Sequence, residues 1–204
     1  MSAIEVAAAP LASTRVAELC ANADGQAHCG QLIEAEQLKV LPNLAVRDGD
    51  TLRVLLFPTG IRELVDVDTI RGSQTYSLWD YWGAVNAVVL FTTNFDRTGY
   101  AVLQRATGQL TALPSEPVLS PDRQRLAIAD FCAKDCENDI SVWRITREGV
   151  RRESGWKPRE SWSDVTVVWK DGATLAIEHT LSDGKTQTVE RRLADPGWAR
   201  SEAR

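Results

Sequence analysis

From Gln37 onward, apolar and polar residues alternate in short runs that are separated by glycine-containing turns. A period of two residues indicates half-buried β-strands, because successive side chains of a strand point to opposite faces of the sheet. No helical period longer than about three turns follows residue 40, which argues against a βαβ fold. Glycine supplies the positive φ that a hairpin needs. The four clearest turns are Arg47–Asp50, Thr107–Gly108, Arg147–Gly149 and Ser182–Lys185.

Three segments share a plan of strand, loop, strand, tight turn and strand: residues 86–113, 125–154 and 165–193. They recur at roughly 35 to 40 residues, a period found among propeller blades. An earlier segment, residues 51–70 followed by 74–82, fits the plan less well. The pattern therefore predicts a mostly β protein made of antiparallel units of three to four strands.

A turn before one of these strands resembles a known repeat. Pro117–Asp130 contains the run Ser120-Pro121-Asp122 ahead of an apolar strand. Pro121 fixes φ at the first corner, and Asp122 can bond back to the backbone. The stretch resembles the repeats of TolB-like and WD40-like β-propellers, whose blades often begin with a Ser-Pro-Asp-Gly-Lys-type turn, although the glycine is absent here. The resemblance implies a small or incomplete β-propeller, and a twisted β-sandwich is the alternative.

Length and composition favour one main domain. The chain has 204 residues, of which 44% are hydrophobic and 25% charged, enough to bury a core but short for two full-sized domains. Residues 1–36 are rich in alanine and predict an N-terminal strap, helical or irregular, with a short helix within residues 14–23. Residues 37–204 are predicted to form a single β domain.

Charge and hydropathy exclude several partners. The net charge of -5 argues against nucleic-acid binding, since phosphate contacts need clustered basic residues. The pairs Arg151-Arg152 and Arg191-Arg192 are interpreted as solvated strand edges. No run approaches the roughly 20 apolar residues that cross a bilayer, so no membrane insertion is expected. Residues 1–9 lack the features of a secretory signal, so the chain is either cytoplasmic or a form from which a leader was removed.

The four cysteines favour the second of these alternatives. They form two local pairs in polar loops, which suits disulfides that close small loops better than buried thiols. Reduced thiols and a four-cysteine metal site are the alternatives, although the wider pair is unlike a zinc knuckle. The preferred locations are the periplasm of a bacterium or the extracellular space. The predicted disulfides join Cys20 to Cys29 and Cys132 to Cys136.

The sequence contains no complete catalytic motif. It has no phosphate loop, nucleophile elbow or zinc-protease motif, and its two histidines, His28 and His179, lack the surroundings of a triad. His179 is predicted to lie on a strand, on the same face as Leu175 and Ile177. Carboxylates leave one enzymatic alternative, a hydrolase. Asp66 and Asp68 are predicted to share one strand face, and glycoside hydrolysis uses such pairs.

Acidic residues also surround the Cys132–Cys136 loop. Oxygen clusters of this kind bind calcium, but the spacing of a calcium loop is missing. The preferred interpretation is therefore a solvated acidic loop without cofactor or metal. Calcium at Asp135, Glu137 and Asp139 is the alternative.

Seven tryptophans are the least ordinary feature of the composition. Trp143 and Trp169 alternate with apolar residues and are assigned to the core. The others include two clusters, SLWDYWGA and GWKPRESW, in which aromatic rings adjoin charged residues, as at protein-binding hot spots and on sugar-stacking platforms. Structural packing is the favoured interpretation of these rings, because tryptophan is highly buried on average. The residues predicted to bind in the alternative case are Trp79, Tyr81, Trp82, Trp156, Arg159 and Trp162.

These features favour a non-enzymatic periplasmic or secreted module that binds another protein, of the inhibitor or immunity type. The alternatives are a protein that binds carbohydrate or a cell-envelope polymer through tryptophan, and the carboxylate-dependent hydrolase.

Overall fold

The computed structural model describes residues 11–69, 72–95 and 97–200, and the first nine residues lie outside these ranges. The described chain forms two α-helices, a short 3₁₀ helix at Gly83–Val85 and sixteen strands. The helices are α1 (Ser13–Cys20) and α2 (Gln26–Val40). The strands are β1 (Ala45–Asp48), β2 (Thr51–Leu55), β3 (Ile61–Val65), β4 (Val67–Thr69), β5 (Gly72–Trp82), β6 (Ala87–Asn94), β7 (Arg97–Gln104), β8 (Gln109–Leu113), β9 (Val118–Leu119), β10 (Arg125–Asp130), β11 (Asp139–Thr146), β12 (Gly149–Trp156), β13 (Trp162–Trp169), β14 (Thr174–Leu181), β15 (Thr186–Arg192) and β16 (Ala199–Arg200).

The fold is mostly β, as the alternation predicts, and the strands form small antiparallel sheets. In the described part of the chain, four sheets have the orders β1-β2-β3, β4-β5-β6-β7-β8, β16-β12-β11-β10-β9 and β13-β14-β15. The chain divides into two compact units. The first runs to Ala112 and includes Arg147–Gly149, and the second comprises Leu113–Thr146 and Val150 onward.

All four predicted turns connect neighbouring strands, and each has a glycine with positive φ. The values are 56° at Gly49, 70° at Gly108, 146° at Gly149 and 82° at Gly184. The three recurring segments correspond to the consecutive strands β6-β7-β8, β10-β11-β12 and β13-β14-β15, which are neighbours within their sheets. Local turn chemistry and alternation were therefore sufficient to predict these hairpins.

The Ser-Pro-Asp turn delivers the chain into a buried strand, as its sequence predicts. Ser120 Oγ donates to Asp122 Oδ1 at 2.6 Å, and the Arg125 N–H donates to Ser120 Oγ at 3.0 Å. Arg123 has a φ of 61°, the left-handed conformation that glycine adopts most easily. Leu126 and the two residues after it are fully buried in β10.

The N-terminal helices belong to the first unit. Helix α2 crosses the predicted boundary at residue 36 and buries Ile33 and Gln37. Gly30 lies so close to β5 and β6 that an added Cβ would be 2.8 Å from the Phe91 ring and 2.9 Å from Ser77 Oγ. Close approach to the sheet thus requires glycine at this position. The predicted division into a strap and one β domain stays a prediction.

Each unit has its own hydrophobic core. In the first unit, Leu52, Val54 and Leu64 of the β1–β3 sheet pack with Leu78, Leu90 and other residues of the five-stranded sheet. In the second, Ala127, Ile140 and Val142 pack with Val167, Leu175 and Ile177. Each of the valine, leucine and isoleucine side chains among them contributes about 1.5–3 kcal/mol when it is fully removed from water.

Both predicted disulfides are present, and their Cα atoms are 4.6 Å apart in Cys20–Cys29 and 5.5 Å apart in Cys132–Cys136. Disulfides persist in oxidising compartments, so the chain is suited to such an environment. Among the described helices, none has both the length and the hydropathy of a membrane span.

Candidate functional site

The outer face of the β1–β3 sheet carries large apolar side chains in contact with solvent. The register places Leu55 opposite Ile61. It also places Arg53 between Val46 on one neighbouring strand and Glu63 on the other. Val46, Ile61 and Val65 are each more than half exposed, at 55%, 56% and 52%. We refer to Val46, Leu55, Ile61 and Val65 as the outer apolar face. Exposed apolar side chains grouped on one face, here on both sides of the charged Arg53 and Glu63, often mark an interaction site.

The same stretch of chain holds most of the exposed apolar side chains of the molecule. In the part of the chain that the structure describes, nine large apolar residues are exposed, and six of them lie between residues 46 and 67. These six are the outer apolar face together with Phe57 and Val67. The concentration is what distinguishes this region, since single exposed apolar residues are normal on any protein.

The loop after β2 is held in place by the end of β7. Arg105 Nε donates to the Leu55 carbonyl at 2.6 Å, and the Phe57 N–H donates to the Arg105 carbonyl at 3.0 Å. The Arg105 guanidinium also donates to Tyr81 Oη and Asn86 Oδ1, at 3.1 and 3.0 Å. These bonds fix the backbone from which the Leu55 and Phe57 side chains project.

Arg53 is the charged centre of the outer face. Its guanidinium donates to Asp48 Oδ2 at 2.8 Å and to Glu63 Oε1 at 3.0 Å, and all three side chains are well exposed. Exposed pairs of this kind contribute little to stability, about 0–1 kcal/mol. Their effect is to give a mainly apolar face a fixed, slightly acidic centre.

Beneath the sheet, a buried ion network joins β1 to helix α2. Arg47 donates to both oxygens of Glu34 at 2.7 and 2.8 Å, to Asp66 Oδ2 at 3.0 Å, and to the Tyr76 carbonyl. Glu34 also accepts the Leu78 N–H at 2.9 Å. Burial raises the pKa of Asp66, against the opposing effects of the Tyr76 N–H and the Arg47 guanidinium. The network gives the outer face a rigid support.

The three predicted aromatic binding residues of the first unit have separate surroundings. Trp79 packs with Phe91 and Tyr100, with ring centroids 5.5 and 5.3 Å away. Tyr81 lies under the Arg105 guanidinium. Trp82 Nε1 donates to Asp80 Oδ2 at 3.0 Å, and burial raises the pKa of that carboxyl. The SLWDYW run therefore supplies three different packing sites, and its binding role stays a prediction.

In the second unit, the structure brings Trp156 and Trp162 together. They end β12 and begin β13, and their rings meet edge to face at 5.5 Å. Trp162 also stacks on His179, with centroids 3.7 Å apart. Both tryptophans are half-buried and pack against the core, while Arg159 is exposed in the loop between them. Their binding role also stays a prediction.

Two members of this cluster were not predicted to belong to it. Arg191 lies on the edge strand β15, as predicted, but it is half-buried over the rings of Trp156 and Trp198, 4.1 and 5.8 Å from their centroids, rather than fully solvated. His179 lies on the face of β14 predicted for it, but it is buried rather than half-buried. Its Nδ1 has no hydrogen-bond partner among the described residues.

The carboxylate pair predicted for hydrolysis is not formed as expected. Asp66 lies between β3 and β4, whereas Asp68 lies within β4 and is exposed. The prediction that they share one strand face is therefore wrong. The alternation continues through VDVDT, but the chain changes sheets at Asp66, where Arg47 and the Tyr76 N–H bind the carboxylate.

The acidic loop near Cys132–Cys136 is engaged in ion pairs. Asp139 is buried and pairs with Arg152, and Glu137 pairs with Lys157 at 3.1 Å. Asp135 has a positive φ of 67°. Within residues 11–69, 72–95 and 97–200, no group of three or more potential ligands is arranged to hold a metal. Calcium at Asp135, Glu137 and Asp139 stays a prediction.

The outer apolar face was missed by sequence reasoning, although a signal for it exists. In TLRVLLFPTGIRELV, apolar residues occupy both alternating positions: Leu52, Val54 and Leu64 point inward, while Leu55, Ile61 and Val65 point outward. Neither protein-family models nor curated protein sequences gave a match to this chain.

Proposed function

We propose that this chain is a non-enzymatic, protein-binding domain of the bacterial periplasm or the extracellular space, and that it binds through the outer apolar face. The observation that carries the proposal is the exposure of Val46, Leu55, Ile61 and Val65 on one face of one sheet. Covering such a face releases about 25 cal/mol for each Å² of apolar surface removed from water. The two disulfides support the location.

The test is site-specific photo-crosslinking in the native cells. A crosslinking side chain replaces Ile61 on the outer face or, as a matched control, Thr188, which is exposed on β15. We expect a discrete adduct from position 61 that is absent from position 188. Excess purified wild-type protein should suppress the adduct, and the Leu55→Thr/Ile61→Thr variant should not. Equal adducts from both positions, or suppression by that variant, would contradict the proposal.

Carbohydrate binding is the second candidate, and the tryptophan cluster of the second unit supports it. A sugar ring stacks on an open aromatic face, but Arg191 covers part of Trp156 and His179 covers one face of Trp162. The outer apolar face is less obstructed, so we prefer protein binding. Quenching of tryptophan fluorescence by cell-envelope polysaccharide, lost in Trp156→Ala, would reverse this preference.

For the architecture, we propose that the repeated three-strand units are related to TolB-like and WD40-like blades, in a small or incomplete propeller. The turn at Ser120–Asp122 and the recurrence of the meanders support this proposal. A twisted β-sandwich is the alternative.

A further inference from the structure

We infer that the outer edge of β3 is where the partner binds, by adding an extended strand that is apolar at alternate positions and carries a carboxylate beside Arg62. The inference rests on the proposed protein-binding function and specifies the mode of recognition and the chemistry of the partner.

Strand β3 is an open edge. In the described part of the chain it pairs with β2 and with no other strand. The Leu56 N–H donates to the Gly60 carbonyl at 2.9 Å, and the Asp66 N–H donates to the Asp50 carbonyl at 2.7 Å. These two bonds determine which opposing residue pairs of β2 and β3 are hydrogen-bonded. Because bonded and non-bonded pairs alternate in an antiparallel ladder, the backbone groups of Ile61, Glu63 and Val65 point away from β2.

This edge has only part of the usual protection against strand pairing. Natural edges are commonly protected by proline, charged side chains or a bulge. The run Ile61–Val65 contains no proline, and its register with β2 continues without a shift across all five pairs. Its charges are Arg62 and Glu63, and Glu63 is already paired with Arg53. An edge of this kind next to exposed apolar side chains can accept both the backbone and the side chains of an added strand whose charge matches Arg62.

Charge at the edge selects the partner. Glu63 pairs with Arg53, but Arg62 is exposed and has no ion pair among the described residues. Opposite charges across a strand pair are favourable and like charges are not. A carboxylate of the added strand opposite Arg62 would be matched, while the neighbouring residue opposite Ile61 would extend the row of Ile61 and Leu55 with an apolar side chain.

A second copy of the chain fits this edge poorly. An antiparallel pairing of β3 with itself that uses the whole strand places Ile61 opposite Val65 and Glu63 opposite Glu63. The repulsion between these carboxylates disfavours self-pairing. The occupant that the edge favours is therefore a strand of another protein.

The test uses two synthetic peptides with blocked ends, Val-Thr-Val-Glu-Val and Val-Thr-Val-Lys-Val. Paired antiparallel to Val65–Ile61, they place the fourth residue opposite Arg62. We expect the glutamate peptide to shift the amide NMR signals of Ile61 and Glu63 and to bind roughly three- to tenfold more tightly than the lysine peptide. Equal affinity of the two peptides, or shifts that avoid β3, would overturn the inference.

Proline variants separate this inference from the proposed function. Glu63→Pro removes an outward N–H and should abolish peptide binding. Two control variants should still bind the peptide: Glu63→Ala keeps the N–H, and Thr188→Pro alters the outward edge of β15 instead. Circular dichroism checks that each variant is folded. A native adduct from position 61 that persists in Glu63→Pro would overturn strand addition but leave protein binding intact. If the glutamate peptide binds and Glu63→Pro abolishes that binding, but no native adduct forms, then the edge can accept such a strand and it is the proposed function that fails.

Discussion

Strands β1-β2-β3 and β13-β14-β15 form two three-stranded meanders, one in each compact unit. Their inner faces are alike, since Leu52 and Val54 in one, and Leu175 and Ile177 in the other, are fully buried. Their outer faces differ. The first exposes the outer apolar face, whereas the second exposes mainly polar residues and one large apolar side chain, Val168.

The comparison shows that a meander of this design does not need an apolar outer face in order to fold. In the second sheet, Thr166, Glu178 and Thr188 occupy outward positions where solvent is the neighbour. The apolar outward residues of the first sheet therefore require a reason other than the stability of the isolated meander, and binding supplies one.

The two sheets also complete their inner faces differently. In the first, the charged Arg47 points inward and is neutralised by Glu34 and Asp66. In the second, aromatic stacking of His179 on Trp162 fills part of the inner face. One solution depends on matched charges and the other on ring contacts, so substitutions should affect them in different ways.

The largest expected effect comes from the ion network. Arg47→Met leaves the Glu34 carboxylate buried without a cation, and we expect the free energy of unfolding to fall by about 3–5 kcal/mol. Arg53→Met, which breaks the exposed pairs of the same sheet, should cost no more than about 1 kcal/mol. Urea unfolding followed by circular dichroism measures both. Similar losses in the two variants would show that burial does not distinguish the networks.

A gain in stability is expected on the inner face of the second sheet, at His179. His179→Phe keeps a ring against Trp162 and removes the buried Nδ1 that has no partner among the described residues. We expect the free energy of unfolding to rise by about 1 kcal/mol, whereas His179→Ala should lower it through loss of the stacked ring. If both variants lose stability equally, Nδ1 makes a hydrogen bond that is essential to the native state.

The sequence was informative where structure is determined locally. The turns at Gly49 and Gly184 and both disulfides followed from residue type and spacing, because a few neighbouring residues determine a hairpin or a short loop. Asp66 was misplaced because the alternation VDVDT has no local sign of a break. The chain changes sheets there through contacts with Arg47 and Tyr76, which are distant in sequence.

The tryptophan cluster of the second unit likewise depends on contacts between residues that are distant in sequence. In GWKPRESW, strand alternation could not pack both rings, yet Trp156 ends β12, Trp162 begins β13, and the two rings pack together. Arg191, which was assigned to a solvated edge, lies over the rings of Trp156 and Trp198. Such contacts between separate strands cannot be inferred from the period of any single strand.

The difference between the outer faces should be measurable without the partner. In Leu55→Thr/Ile61→Thr, the fluorescence of a hydrophobic dye bound to the native protein should fall, while stability changes by no more than about 1 kcal/mol in total. Val168→Thr on the second sheet should leave dye fluorescence close to that of the wild type, because a single exposed valine is not a patch. Equal loss in both cases would mean that the outer apolar face is not a distinct binding surface.

The smallest expected effect is a difference in pH dependence. Burial raises the pKa of Asp66 above 3.8 in the first unit, so its stabilising contribution is present below that pH and is lost as pH rises through the folded pKa. The hydrogen bond from Lys185 lowers the pKa of Asp183 in the β14–β15 turn, so its contribution is present above 3.8 and is lost as pH falls through the folded pKa.

The two carboxylates should therefore give slopes of opposite sign. From about pH 3 to about pH 7, the stability advantage of wild type over Asp66→Asn should decrease, and its advantage over Asp183→Asn should increase. Urea unfolding of the three proteins across this range measures both slopes. Because Asp183 is exposed, salt should reduce its slope, while the burial that raises the pKa of Asp66 is less sensitive to screening. Slopes of the same sign would show that the two sheets do not differ in how they hold their carboxylates.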